Sequence, residues 1–251
     1  MSILELVDIS KSFDGIKAVD SVFLDFSSNK ITALIGPNGA GKTTVFNLIS
    51  GFLKPDEGNI KLKGQNLIGL PPFRIAGAGI GRLFQDVRIF KEMSVMDNVM
   101  AAFNKQAGEM WWVPLLNPFK VKRQEKAFVQ RADELLKFVG LLEKRDDLAE
   151  SLSYGQQKLL SIARLLASDA EILLLDEPTA GVSPAMVPQL LEIIRSLRDQ
   201  GKAIILIEHN LNVVTEIGDW VFFMDEGQVT YFGLPADVLG NPDVRQAYIG
   251  L

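Results

Sequence analysis

The sequence predicts an α/β fold in which a mostly parallel sheet is covered by helices on both faces. Two late segments, ILLL (172–175) and IILI (204–207), are apolar at every residue, as is typical of parallel strands buried on both sides. Helical patterns alternate with these strands, and a long helical stretch separates them from a β-rich N-terminal third. This order indicates a doubly wound core that carries a helical insertion.

Each element is assigned from its own pattern of apolar and turn-forming residues. The predicted strands are ILELVDI (3–9), VFLDFS (22–27), ITALIG (31–36), NIKLKG (59–64), IGRLFQ (80–85), EILLLDE (171–177) and AIILIEH (203–209). The stretch WVFFMDEGQVTYFG (220–233) is predicted to be a hairpin that turns at Glu226 and Gly227. The predicted helices cover residues 43–52, 94–103, 122–139, 158–167, 184–200 and 210–218. Ser183 and Pro184 resemble a helix start, and Gly201 a helix end.

Composition limits the classes of function. The chain has 251 residues, a formal net charge of −5 and no cysteine. An acidic chain lacks the basic face that nucleic-acid binding usually needs, and disulfide or thiolate chemistry is excluded. The N-terminus has no secretory signal pattern, and the apolar runs are too short to span a membrane. We therefore expect a protein that reaches a membrane only through partners.

The strongest motif is IGPNGAGKTT at 35–44. It fits the pattern G-x-x-x-x-G-K-[ST], follows a predicted strand and opens a predicted helix, which is the context that this motif requires. Its backbone amides would surround phosphate groups. We expect Lys42 to reach the β- and γ-phosphates and Thr43 to bind Mg²⁺. The expected ATP contacts are Phe13, Gly36, Pro37, Asn38, Gly39, Ala40, Gly41, Lys42, Thr43 and Thr44.

A second motif, ILLLDE at 172–177, ends a buried strand in two acids. In isolation, two solvated acids at a strand end would be the usual interpretation. Beside a phosphate-binding loop, Asp176 can lie at the metal and Glu177 can lie at the attacking water. GTP-binding proteins would add N-K-x-D, but the NK pairs at 29 and 104 lack its aspartate. Adenine is therefore the favoured base.

The segment SLSYGQQ (151–157) lies between the helical insertion and the DE strand. It resembles the signature L-S-G-G-Q of ABC (ATP-binding cassette) ATPases, and the resemblance then covers nearly the whole chain. Phe13 stands where the family has an aromatic that stacks on adenine, and the less favoured alternative is a core aromatic. Gln85 stands at the family's Q-loop position, and His209, the single histidine, stands at its switch position.

The resemblance implies a fold and an organisation. The fold would be a P-loop NTPase (RecA-like) core with an antiparallel β subdomain and an α-helical subdomain. Residues 1–93 and 160–251 would form the nucleotide-binding core with its β subdomain, and residues 94–159 the helical subdomain. The family works as a head-to-tail pair, in which one chain's signature covers the other chain's ATP. The residues acting in trans would be Ser153, Tyr154, Gly155 and Gln156.

The resemblance also implies residue roles. Glu177 would be the general base, His209 would hold the γ-phosphate, and Lys42 would stabilise the developing charge. The Mg²⁺ ligands would be Thr43, Gln85 and Asp176. The expected cofactors are therefore ATP and Mg²⁺.

Two departures from the family pattern narrow the assignment to one branch of the family. Tyr154 replaces the first signature glycine, and Ser183 stands where the segment after DEPT often has an aspartate. Both resemble the ATP-binding subunits of branched-chain amino acid importers, as do the insertion at 108–127 and the tail NPDVRQAYIGL (241–251). Urea- or amide-type importers are the main alternative. The tryptophans of MWWVPLLNPF (110–119) could face a membrane partner or pack on the helical subdomain.

The resulting hypothesis is an ATP-hydrolysing motor subunit of a membrane importer. Its partners would be a second ATP-binding subunit, identical or not, and integral permease subunits, with no nucleic acid. The segment 85–99 is the expected permease dock. The protein would be cytoplasmic and peripheral on the inner face of the cell membrane. A soluble ABC ATPase would need paired cassettes, a coiled coil or a basic face, and a non-hydrolysing P-loop protein would not need the DE strand.

Overall fold

The computed structural model describes residues 2–104 and 118–249. The described chain divides into two compact units. The first comprises Met1–Gln85, Glu171–Thr179 and Ile194–Leu251, and the second comprises Asp86–Ala170 and Ala180–Ile193. The limits of the helical subdomain at residues 94 and 159 stay a prediction. The tryptophan pair of the 110–119 segment lies outside the described residues.

The first unit contains two sheets. A four-stranded antiparallel sheet has the order β2-β1-β4-β5, and a six-stranded sheet has the order β10-β9-β3-β8-β7-β6, parallel except for its β9–β10 edge. The strands are β1 (Ser2–Phe13), β2 (Ile16–Ser27), β3 (Lys30–Ile35), β4 (Glu57–Leu62), β5 (Gln65–Asn66), β6 (Ile80–Leu83), β7 (Ile172–Asp176), β8 (Ala203–Ile207), β9 (Trp220–Asp225) and β10 (Gln228–Gly233).

The helices of the first unit pack around these sheets. They are α1 (Lys42–Ile49), α2 (Pro72–Gly77), α7 (Leu211–Ile217), α8 (Pro235–Gly240) and α9 (Pro242–Ile249). Every residue of β7 and β8 is buried, which confirms the expectation of central parallel strands. Helices α2, α8 and α9 were not predicted, although each begins at a proline, a residue suited to the first turn of a helix.

The second unit is helical. Its described residues form α3 (Val95–Met100), α4 (Pro118–Phe138), two 3₁₀ turns and α5 (Tyr154–Ala167), and α3, α4 and α5 pack pairwise. Helix α6 (Val187–Asp199) begins here and ends in the first unit.

The predicted start of α6 at Ser183 and Pro184 is wrong by three residues. The carbonyl of Ser183 accepts the N–H groups of Met186 and Val187, so a turn precedes the helix. Pro188 then lies in the first helical turn, where its missing N–H costs nothing. The predicted end is confirmed, because Gly201 has a φ of 97° just beyond the helix.

Two strand ends were also placed wrongly. Strand β6 ends at Leu83 and β8 at Ile207, so Gln85 and His209 each lie two residues beyond a strand rather than at its tip. Polar side chains that leave the ladder can turn toward the same edge of the sheet, where the carboxyl ends of parallel strands meet. The predicted hairpin is confirmed, with Glu226 and Gly227 at φ values of 45° and 82°, as its tight turn requires.

Candidate nucleotide-binding and catalytic site

The loop between β3 and α1 needs glycine at two positions. Gly36 has a φ of 148°, and a Cβ there would lie 2.0 Å from the carbonyl oxygen of Met224. Gly41 has a φ of 100°, and its Cβ would lie 2.3 Å from the carbonyl oxygen of Ala18. Since both obstacles are backbone atoms, neither site has room for a side chain. The backbone of the loop can therefore approach a ligand closely, as a phosphate-binding loop requires.

Lys42 opens α1 and is buried, with 5% of its surface exposed. Its ammonium donates to the carbonyl oxygens of Gly36 at 2.7 Å and Pro37 at 2.8 Å. Burial lowers the pKa of Lys42, while the charges of Glu177 and Asp176 oppose that shift. A buried cation whose ammonium lies against the carbonyl groups of the loop is a suitable partner for phosphate oxygens.

Residues 38–44 of the predicted phosphate-binding loop line one cavity of about 190 Å³, whereas Gly36 and Pro37 do not line it. All of its walls belong to the first unit. They are Ala18, Asn38, Gly39, Ala40, Gly41, Lys42, Thr43, Thr44, Glu177, Ile207 and His209. The same space is therefore lined by the phosphate-binding loop, the start of α1, the Glu177 carboxylate and the His209 imidazole, as phosphoryl transfer to water requires.

Glu177 is the centre of this arrangement. Its Oε2 accepts a hydrogen bond from Gln85 Nε2 at 2.8 Å, and its Oε1 lies 3.0 Å from His209 Nε2. The residue has a φ of 46°, unusual for a side chain with a Cβ, and its N–H donates to the carbonyl of Ile207 at 3.0 Å. The structure thus brings together three residues that lie far apart in the sequence.

Asp176 is buried and forms an ion pair that sequence reasoning missed. Arg82 on β6 donates to Asp176 Oδ2 at 2.8 Å and to Asn47 Oδ1 at 2.7 Å. The guanidinium also lies between two rings, 5.5 Å from the centroid of Phe46 and 4.7 Å from that of Phe84. An arginine inside an apolar strand was the available signal, because such a charge needs a partner.

The donor chemistry near Asp176 fits magnesium. Within residues 2–104 and 118–249, no group of three or more His, Asp or Glu side chains could hold a metal ion unaided. Mg²⁺ is usually held by one or two carboxylates together with substrate phosphates. Asp176 supplies a carboxylate, and the oxygens of Thr43 and Gln85 stay the other predicted ligands.

Phe13 lies at the end of β1 with 42% of its surface exposed. The ammonium of Lys11 lies 5.7 Å from the centre of its ring. Phe13 is not among the residues around the 190 Å³ cavity. Its exposed face could still accept an adenine, so the stacking role stays a prediction.

The signature segment belongs to the second unit and begins α5. The Ser153 hydroxyl accepts from the N–H of Gln156 at 3.3 Å, and Gln156 Oε1 accepts from the N–H of Ser153 at 3.0 Å. This capping box fixes the helix start while leaving the serine O–H proton available to a ligand. A Cβ on Gly181 would lie 2.7 Å from Tyr154 Cε1, so the tyrosine ring packs directly against that glycine.

Two further polar residues of the first unit bear on the site and were missed. The Tyr248 hydroxyl on α9 accepts the N–H of Gly36 at 2.8 Å, and burial raises the pKa of Tyr248 to about 12. Glu208, one residue before His209, is buried with 3% of its surface exposed. A charged residue beside an apolar strand was the only signal for Glu208. Nothing in the sequence pairs Tyr248 with a loop more than 200 positions away.

Comparison with known proteins agrees with this geometry. The family described as ABC transporter matches residues 19–180. The chain is 41% identical to the high-affinity branched-chain amino acid transport ATP-binding protein LivG of Escherichia coli K12, over 99% of this chain and 98% of that protein. It is 38% identical to the corresponding protein BraF of Pseudomonas aeruginosa, with the same coverage.

A solved structure described as the ADP conformation of an ATP-binding cassette of an ABC transporter also matches. It covers all of both chains at 33% identity with a TM-score of 0.85. The expected fold class and family are thereby confirmed. The chain belongs to the ABC transporter family and has the fold of its ATP-binding cassettes.

Proposed function

We propose that this chain is the ATP-hydrolysing subunit of a membrane importer for branched-chain amino acids. The observation that carries the ATPase assignment is the contact of Glu177 with Gln85 and His209 at the edge of the phosphate-binding cavity. The names of the relatives support the amino acid substrate.

The proposed chemistry is in-line attack of water on the γ-phosphorus of ATP. Glu177 accepts the proton of that water, and His209 and Gln85 hold the carboxylate in place. Lys42 and the loop amides stabilise the charge that develops on the phosphate oxygens. Thr43, Gln85 and Asp176 would hold Mg²⁺, which would neutralise further charge on the phosphates.

The signature segment acts, in this proposal, on the ATP of a second subunit. Ser153, Tyr154, Gly155 and Gln156 would approach the γ-phosphate in trans. The start of α5 carries partial positive charge, and no charged side chain is needed there. Because ADP lacks the γ-phosphate, ATP alone should hold the two subunits together, and hydrolysis should release them.

The Glu177→Gln variant tests both the base and the pair. It keeps the size of the side chain but cannot accept the proton. We expect ATP turnover to fall by at least about 100-fold, and size-exclusion chromatography to show a dimer with ATP and a monomer with ADP. The matched control is Glu171→Gln. Glu171 is an exposed carboxylate of the same unit that pairs with Lys63. Turnover within threefold of the wild-type rate in Glu177→Gln would refute the assignment of the base.

The remaining proposals concern the membrane. The described residues 2–104 and 118–249 contain no helix long and apolar enough to cross a membrane. We propose that the protein lies on the inner, cytoplasmic face by binding permease subunits, with segment 85–99 as the dock. Its other partner is a second ATP-binding subunit, identical to this chain or different from it.

Uptake measurements test the substrate. The chain would be reconstituted in vesicles with the permease and binding protein encoded beside it. ATP-dependent uptake of radiolabelled leucine, absent with Glu177→Gln, is the expected result. Uptake of urea but not leucine would favour the amide-type alternative.

A further inference from the structure

Glu208 is a buried carboxylate that the proposed chemistry does not use. Its two oxygens accept hydrogen bonds from four donors. Oε1 accepts from the Thr179 N–H at 3.1 Å and the Thr179 hydroxyl at 2.5 Å, and Oε2 accepts from the N–H groups of His209 at 3.2 Å and Asn210 at 3.4 Å. A charged group buried to this degree is costly unless such donors satisfy it.

The four donors come from two separate loops. Thr179 lies two residues after Glu177, on the segment that follows β7. His209 and Asn210 begin the segment that follows β8. Glu208 therefore bridges the two segments whose side chains meet at the site, where Glu177 Oε1 and His209 Nε2 are 3.0 Å apart.

The backbone of Glu177 shows why such a bridge is needed. A non-glycine residue at a φ of 46° is held in a strained conformation that persists only when its surroundings enforce it. One restraint is its own N–H bond to the carbonyl of Ile207. The bonds from Thr179 to Glu208 restrain the chain on the other side.

We propose that Glu208 is a positioning residue for the hydrolytic reaction. It holds the segment carrying Glu177 against the segment carrying His209, so that the base keeps its alignment with the water and the γ-phosphate. It is not itself a catalytic residue, because all four of its bonds go to the protein. This inference rests on the proposed ATPase function.

The test compares three variants with the wild-type chain. Glu208→Gln keeps the volume but presents an NH₂ group to N–H donors. Thr179→Val removes one donor, and Thr179→Ser restores it. The matched control is Asp219→Asn in the same unit, where the carboxylate accepts from the Ile31 N–H at 2.8 Å and from Arg198 at 3.2 Å and does not line the cavity.

We expect kcat for ATP to fall about 10- to 100-fold in Glu208→Gln, because a misplacement of about 1 Å has effects of that size. KM for ATP should stay within threefold, since the loop around Lys42 is untouched. Thr179→Val should show a smaller fall in kcat that Thr179→Ser reverses. Asp219→Asn should lose stability in urea unfolding while keeping its kcat.

Two outcomes would overturn the inference. One is a kcat of Glu208→Gln within twofold of wild type. The other is an equal loss of kcat in Glu208→Gln and Asp219→Asn, which would indicate a structural role alone. If Glu208→Gln does not fold, the Thr179 pair carries the same test.

The proposed function can fail separately. Absence of turnover in the wild-type chain would count against the ATPase assignment. In that case a crystal structure of the Glu208→Gln or Thr179→Val variant still tests the bridge, because the Glu177 to His209 separation should then exceed about 3.5 Å, beyond hydrogen-bond range. A separation unchanged from 3.0 Å would contradict it.

Discussion

Replacing Arg82 by methionine should destabilise the protein strongly. The Arg82 and Asp176 side chains are 6% and 7% exposed and lie 2.8 Å apart. Methionine retains most of the packing between Phe46 and Phe84 but leaves the carboxylate of Asp176 buried without its cation. Removing one partner of such a pair costs about 3–5 kcal/mol, so the free energy of unfolding should fall by about that amount.

The same substitution at an exposed pair provides the control. Arg131 and Glu134 are 2.9 Å apart, almost the same distance, but both are 53% exposed. Solvent screens that pair, and Arg131→Met should cost less than about 1 kcal/mol. The difference between the two variants in the free energy of unfolding therefore measures the effect of burial at nearly constant contact distance.

Urea unfolding without ATP or Mg²⁺ measures both variants, since bound ligand would add its own stabilisation. Adding Asp176→Asn to Arg82→Met removes the buried charge that has lost its partner, so the double variant should be more stable than Arg82→Met. The reasoning is refuted if Arg82→Met loses less than about 1 kcal/mol, or if it loses no more than Arg131→Met.

Three other predictions follow from contacts in the structure. Gly36→Ala should abolish ATP binding in calorimetry, because the new methyl would meet the Met224 carbonyl at 2.0 Å. Tyr248→Phe removes the acceptor of the Gly36 N–H and should cost about 1–3 kcal/mol in urea unfolding at pH 8. The folded pKa of about 12 is raised from 10, so Tyr248 stabilises fully below pH 10, and the wild-type advantage should shrink as pH rises from 10 to 12. Gly181→Ala should lower the melting temperature by crowding Tyr154, and Tyr154→Ala should partly relieve that loss. A melting temperature equal to that of wild type in Gly181→Ala would contradict this contact.

Local signals determined most elements of the fold. The hairpin at 220–233 was predictable because Gly227 suits the positive φ of a tight hairpin turn, and β7 and β8 were predictable because buried parallel strands are apolar throughout. The start of α6 was misplaced because Ser183 and Pro184 resemble a cap, whereas a turn intervenes before Pro188. Helices α2, α8 and α9 were missed because short helices depend on tertiary packing more than on their own propensity.

The sequence by itself determined the chemistry of the site. The glycine spacing at 36–41, Lys42 and the acids at the end of β7 predict phosphate binding and hydrolysis, because each role depends on local backbone geometry or on one residue type. Only the tertiary structure decided which distant groups support those residues. Arg82 and Asp176 join two neighbouring parallel strands, Glu208 joins the segments that follow β7 and β8, and Tyr248 on α9 contacts Gly36 in the loop after β3. Strand order, rather than any local pattern, brings such partners together.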